Sequence, residues 1–380
     1  MTTEPAAGAD ARALARAAWV DVRAVVPAFV TARVLVAAAY VMATAIADRL
    51  TPGDDPVPLQ EGLAAWDGTW YRQILRSGYD ASPIEAVRFF PLHPWGGRAV
   101  APFLGGRYDL ALVVVANVAA LLLAVLIRRL VLLERGDRDD ADRSVWLICL
   151  FPSAFVLVWG YSEALMLAGA VGAFLAARSG RWWWAVPAAT IAAASRPTGV
   201  LVVAALAIEA LRDRRGRTVA EWIPRGLSVV VPCAATFGFL AWDAARSGEW
   251  LRPLTVQSGL RGDGVDPVTR LVEGFRDLAG GERFGDGLHA PFALVFIVLL
   301  VLCARWFPAS YVTYAALVLV AALSAENLNS LERYGLNAFP LILTLAVAAR
   351  PPWSERSVLA ISTGGFVALC TMAWLGAYVP

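Results

Sequence analysis

Lysine is absent from the 380-residue chain, histidine occurs twice and cysteine four times. Each scarcity removes a class of function. Two histidines, His93 and His289, are too few for a metal site of the usual histidine count. Cys149, Cys233, Cys303 and Cys370 lie in separate apolar runs with no C-x-x-C pair, so they read as buried, reduced packing residues. Charged residues make up 17% of the chain and the formal net charge is +2, which leaves no basic surplus for a nucleic-acid backbone. Nucleic acid is not an expected partner.

Apolar sequence, by contrast, is abundant: 58% of residues are hydrophobic. That is too much for one soluble domain, and an all-α polytopic membrane protein is the expected fold class. A helix crosses a bilayer with about 20 apolar residues. About eleven runs qualify or come close: 24–47, 109–132, 144–159, 162–177, 183–195, 198–211, 226–244, 289–304, 309–324, 335–349 and 357–375. The first follows a tail, 1–23, that carries Arg12, Arg16 and Arg23. Ala45-Ile46-Ala47 has the form of a signal cleavage site, but the run exceeds an h-region of about 7–15 residues, so an uncleaved first helix is expected. As one helix, 144–177 would measure about 51 Å, and a hairpin is predicted about Gly160-Tyr161-Ser162. Arg196-Pro197-Thr198-Gly199 breaks 183–211 in the same way. Residues 24–380 are expected to form one transmembrane domain with two long connections, 48–108 and 246–288.

Arginine placement orients these runs. With the N-terminus cytoplasmic, Arg128, Arg129, Arg135, Arg138, Arg143, Arg178, Arg181, Arg212, Arg214, Arg215, Arg217, Arg225, Arg305, Arg350 and Arg356 all fall on the cytoplasmic side. The short outer turns hold Arg196 and Arg333 alone. The polar, aromatic-rich clusters then share the outer face, where ionisable groups at membrane depth point to function.

Asp67 opens a stretch, 66–77, in which Trp66, Trp70 and Ile74 recur at helical spacing, so a short amphipathic helix at the outer interface is predicted. A carboxylate there could serve as a general base, or merely cap the helix. Glu163, after Tyr161 and Ser162, could bind substrate or only complement a helix dipole. Arg196, just ahead of a helix N-terminus, suits phosphate, or else snorkels to the interface. Arg333 and Tyr334, near Glu326 and Glu332, form either part of a site or a solvated turn. Glu332 and Arg333 are adjacent, so any ion-pair partner is expected from elsewhere in the chain. His93, between Pro91 and Pro94, is placed to bond backbone at a kink. Arg33, inside the first run, faces either a cavity or another helix.

The run Trp66-Asp67-Gly68-Thr69-Trp70-Tyr71 through Gly78-Tyr79, then Arg88-Phe89-Phe90-Pro91-Leu92-His93-Pro94, resembles the glycosylphosphatidylinositol mannosyltransferase II family (PIG-V type), especially its bacterial members. Phe151-Pro152-Ser153, Tyr161-Ser162-Glu163, Ser195-Arg196-Pro197-Thr198-Gly199, Gln257 and the stretch Arg333-Tyr334 to Phe339-Pro340 are similar to later elements in the same order. This sequence departs in placing His93 where tyrosine is common, Pro197 after Arg196, and Ser258-Gly259-Leu260 where a tryptophan-glycine pair follows Gln257.

The resemblance implies a GT-C-type membrane glycosyltransferase that takes a sugar, typically mannose, from a polyprenyl-phosphate donor on the non-cytoplasmic side. It would make Asp67 the catalytic aspartate of the first outer loop. Trp66, Tyr71, Arg88, His93, Tyr161, Glu163, Arg196, Gln257, Arg333 and Tyr334 are then candidate substrate contacts. Expected partners are membrane lipid, the lipid-linked donor and a glycan, lipid or protein acceptor. No cofactor is required, although the carboxylates leave room for a divalent cation. The rival class is a secondary transporter or lipid flippase, which also uses broken helices and buried arginine. A noncatalytic partner of another transferase is a third reading.

Overall fold

The computed structural model describes residues 6–212, 217–262, 264–281 and 285–380, the side chains of 6–18, 260 and 261 excepted. Arg214 and Arg215, and the side chains of Arg12 and Arg16, lie outside the described residues. Among the described residues every regular element is helical. In chain order the helices are α1 (Ala6–Leu50), α2 (Val57–Glu61), α3 (Asp67–Ser77), α4 (Leu92–Val100), α5 (Tyr108–Arg135) and α6 (Arg138–Leu150). Then come α7 (Glu163–Arg178), α8 (Trp182–Ser195), α9 (Val202–Arg212), α10 (Val219–Ser247), α11 (Arg252–Arg261) and α12 (Pro267–Gly280). The last are α13 (Asp286–Trp306), α14 (Ala309–Leu323), α15 (Leu331–Asn337), α16 (Phe339–Ala348) and α17 (Pro352–Trp374).

Small residues decide how these helices meet. α1 buries Val25, Ala28, Ala32, Val36, Ala39, Ala43 and Ala47, a seam stepping three or four residues at a time, against α5, α6 and α17. A seam of alanine lets backbones approach closely, the usual solution where lipid rather than water surrounds the bundle. α7 and α8 come closer still: a Cβ on Gly169 would sit 2.6 Å from the Ala192 backbone nitrogen. The outward faces are apolar, with Val34, Val41, Val118, Val230 and Val301 exposed. Five helices are long and apolar enough to cross a bilayer: α1 over Trp19–Leu50, α5, α10, α13 and α17. The other six expected runs fold as the shorter helices α6, α7, α8, α9, α14 and α16. Arg33, on α1, donates to Asn117 Oδ1 at 2.9 Å and stacks on Phe29, so it faces a neighbouring helix.

Two breaks shape the future site. The run 144–159 is not one helix, because Pro152 forces Phe151 into an extended conformation and α6 stops at Leu150. A 3₁₀ turn, Ala154–Leu157, then leads through Gly160 into α7. Pro197 acts likewise on Arg196, whose extended backbone ends α8 and turns its side chain inward. Gly199 makes that turn compact, since a Cβ there would lie 1.9 Å from the Ala192 carbonyl oxygen.

The predicted amphipathic helix at 66–77 is α3, starting at Asp67. Of the four cysteines, all free, Cys149, Cys303 and Cys370 are buried and Cys233 is half-buried.

Candidate active site

Three helices begin on residues with left-handed backbone that lack the freedom of glycine: Trp66 (φ 55°) before α3, Leu251 (φ 65°) before α11 and Ser330 (φ 65°) before α15. Each such residue costs of order 1–3 kcal/mol. All three helices contribute walls to one cavity of about 1160 Å³. Trp66 is held there by its indole N–H, which donates to the Ala373 carbonyl at 2.9 Å. Ser330 donates to the carbonyls of Val379 and Pro380, at 3.3 and 3.0 Å.

At the polar end of this cavity, two carboxylates and two guanidinium groups converge from four separate segments. Arg333 Nη1 lies 2.6 Å from Asp67 Oδ2 and 3.4 Å from Glu163 Oε1. Arg196 Nη1 lies 2.5 Å from Glu163 Oε1 and 3.8 Å from Asp67 Oδ2. Formal charge therefore cancels within the cluster. Burial pushes the Asp67 carboxyl upward, but Arg333 and Arg196 outweigh it and hold the group below the usual carboxylate range. The same two carboxylates hold Arg196 and Arg333 firmly protonated despite burial.

Hydroxyls tie the charges to the fold. The Asp67 backbone N–H donates to Tyr161 Oη at 3.2 Å, Tyr71 and Ser162 share a 2.6 Å hydrogen bond, and Arg196 reaches Ser162 Oγ at 3.4 Å. Behind Arg333, the buried Glu332 carboxylate is held by His289 Nδ1 at 2.8 Å and by Tyr378 Oη at 3.0 Å. Sequence spacing gave no sign of these last two partners, which lie 43 and 46 residues away.

The cavity wall includes Trp66, Asp67, Tyr71, Arg88, Arg196, Gln257, Arg333 and Tyr334. Arg88 donates to Gln257 Oε1 at 3.0 Å, joining the first long connection to the second. Three expected substrate contacts do not line it. Tyr161 and Glu163 are fully buried behind Asp67 and Arg196. His93 is also fully buried, with Nε2 against the Gly160 carbonyl at 3.1 Å and its ring edge-on to Tyr71. Burial lowers its pKa to about 4, so it is a neutral packing residue at a bend.

The simpler alternatives for the other residues also meet geometry. Asp67 is the first residue of α3, and Trp66 occupies the cap. Arg196 and Arg333 are turned inward, not spread into solvent.

Other groups complete the pocket. Thr198 is also on the cavity wall, and its buried Oγ1 has no hydrogen-bond partner among the described residues. Phe90, Val200, Leu201, Leu240 and Leu254 form an apolar wall beside the charges. No group of three or more His, Cys, Asp or Glu side chains is placed to share a metal among the described residues. Asp67 and Glu163 each face a guanidinium group, and Glu61, the other carboxylate on the cavity wall, faces Arg72, so the described residues offer no ready set of ligands for a divalent cation. Chemically, the site offers an ionised carboxylate, two fixed cations and a long apolar wall within one cavity.

No family profile and no curated protein matches the chain. Among solved structures, it is similar to ArnT from Cupriavidus metallidurans bound to undecaprenyl phosphate, at 17% identity and a TM-score of 0.48, over 77% of this chain and 56% of that one. It is also similar to the Archaeoglobus fulgidus oligosaccharyltransferase tethered to an acceptor peptide, at 11% identity and a TM-score of 0.44, over 91% of this chain and 56% of that one. The chain thus spans little more than half the length of either protein. Likenesses this distant assign no residue a role, and the functional reading rests on the cluster itself.

Proposed function

We propose that the protein is a membrane glycosyltransferase that moves a sugar, most simply mannose, from a polyprenyl-phosphate donor to an acceptor hydroxyl on the non-cytoplasmic face, with inversion. The single observation that carries this reading is the pairing of Asp67 Oδ2 with Arg333 at 2.6 Å at the wall of a large cavity. The donor phosphodiester is an anion, and two fixed guanidinium groups are matched to it. Its prenyl chain would lie along the wall formed by Leu201, Leu240 and Leu254.

In the transfer, the acceptor oxygen bonds to the anomeric carbon while the bond from that carbon to the phosphate oxygen breaks. Asp67 accepts the acceptor's proton. The departing lipid phosphate gains negative charge, which Arg196 and Arg333 neutralise. A bound phosphodiester also competes with Asp67 for both arginines. It thereby releases the carboxylate and makes it a stronger base at the moment the donor is in place. Glu163 keeps Arg196 aimed at the cavity throughout.

The test is Asp67→Asn in purified protein given polyprenyl-phosphate mannose and candidate acceptors. Transfer is expected to fall by about 10²–10⁴-fold with donor binding retained. Full turnover by that variant would eliminate Asp67 as the base. Transport or flipping of the donor without release of lipid phosphate by the unaltered protein would instead favour a transporter.

A further inference from the structure

A second cavity, of about 910 Å³, opens at the opposite end of the α7–α8 pair from Asp67. α7 has 16 residues, so Arg178 at its end lies about 22 Å from Glu163 at its start, most of the way across a hydrocarbon core about 30 Å thick. Five arginines line this cavity, Arg178, Arg181, Arg212, Arg217 and Arg225, against the carboxylates of Glu209 and Glu221. Arg178 is satisfied by Glu134 and Glu209, at 2.5 and 3.1 Å, and anchors the floor. Among the described residues, these five arginines stand against three carboxylates there, Glu134, Glu209 and Glu221. Arg212 is half exposed at the rim, and Arg181 is exposed beside it.

The rim is also aromatic. Trp182 is buried beneath the Arg225 guanidinium, 4.9 Å from it, while Trp183 and Trp184 are 62% and 70% exposed. Water alone would not favour two neighbouring bare indoles. The level of lipid headgroups does, because an indole places its ring among acyl carbonyls and its N–H toward water. A basic pocket between helix ends, rimmed by tryptophan and lying at the far end of α7 and α8 from the first cavity, matches a phosphate carried on a lipid.

We infer that this cavity binds the headgroup phosphate of an anionic phospholipid from the leaflet opposite the candidate active site, with the arginines taking the phosphate and Trp183 and Trp184 seated at the glycerol level. The inference rests on the helical membrane fold and not on the glycosyltransferase reading.

The test is native mass spectrometry of the full chain in mild detergent, with phosphatidylglycerol and phosphatidylcholine supplied in equal amounts. Phosphatidylglycerol should be retained in preference. The double variant Arg181→Gln, Arg212→Gln should weaken that retention by about fivefold for each arginine removed. Trp183→Ala with Trp184→Ala should shorten retention of both lipids while leaving the charge preference. Equal retention of the two lipids by the unaltered protein overturns the inference, as does an unchanged preference in the arginine variant. Displacement of phosphatidylglycerol by millimolar inorganic phosphate would assign the cavity to a soluble phosphate compound and overturn the lipid assignment.

Discussion

Replacing Arg333 with glutamine should separate the electrostatic design of the cluster from ordinary packing. Arg333 Nη1 contacts Asp67 at 2.6 Å and Glu163 at 3.4 Å, so the change leaves two carboxylates sharing Arg196. Unit charges about 4 Å apart attract by roughly 4 kcal/mol at an effective dielectric of about 20. Removing one partner of a buried pair costs about 3–5 kcal/mol. The Asp67 side chain is 20% exposed, so some of that is screened, and a loss of about 2–4 kcal/mol is expected. Adding Asp67→Asn to Arg333→Gln removes the orphaned charge, and at least half of the lost stability should return. Activity should not. The assays are thermal unfolding in detergent and single-turnover release of lipid phosphate. The pH profile supplies a third reading. On the proposed mechanism Asp67 acts ionised, and in the free protein its pKa lies below the ordinary value of about 3.9, so the acid limb of kcat/KM should fall below that pH. Without Arg333 the carboxyl rises and the limb moves to higher pH. The stability sign agrees: a depressed carboxyl stabilises the fold above its unfolded pKa, and that contribution is lost as pH falls through the folded value. If Arg333→Gln cost under about 0.5 kcal/mol, or the double variant lost the sum of both single changes, the cluster could not be a coupled unit.

Gly199→Ala should destabilise by about 1–3 kcal/mol and weaken donor binding, because its Cβ would meet the Ala192 carbonyl and push the Arg196 turn outward. A structure of that variant with Arg196 still beside Glu163 would contradict this. His93→Ala should cost about 2–4 kcal/mol through the cavity beside Tyr71 and the lost bond to Gly160, whereas His93→Gln, which can keep that bond, should cost less by chemical denaturation. With its pKa pushed down to about 4, His93 also contributes stability that is lost as pH falls from about 6.5 toward 4, a slope that His93→Gln should remove.

Much of the fold could be read from hydropathy, because an apolar run in lipid must be helical to satisfy its own backbone. The breaks were legible where proline carried them, as at Arg196-Pro197. Pro152 carried the same signal at the end of α6, but the apolar residues on both sides hid it inside an unbroken run, 144–159. Helix lengths were less legible, since six of the runs settle as helices shorter than a full crossing. The strained caps at Trp66, Leu251 and Ser330 could not be anticipated, as nothing in those residue types requires a left-handed backbone. The tertiary contacts that impose it, such as Trp66 to Ala373, join residues 307 apart.

The same distance explains why every charge of the cluster also looked ordinary in isolation. Asp67 and Glu163 each open a helix, where a carboxylate is favourable whether or not it has further work, and Arg196 sits at a helix junction where a snorkelling arginine is common. Local sequence cannot distinguish these readings, because a dipole contact and a catalytic contact place the same residue at the same position. What separates them is convergence. A helix cap needs no partner beyond its own first turn, yet Asp67 and Glu163 bind the same two arginines from segments far apart in the chain. Capping alone supplies about 0.3–1 kcal/mol and gives no reason to bury two further cations beside a cavity. A phosphate ligand, as proposed, would give one: Asp67 balances the cations until the anion takes its place, while Glu163 stays with Arg196.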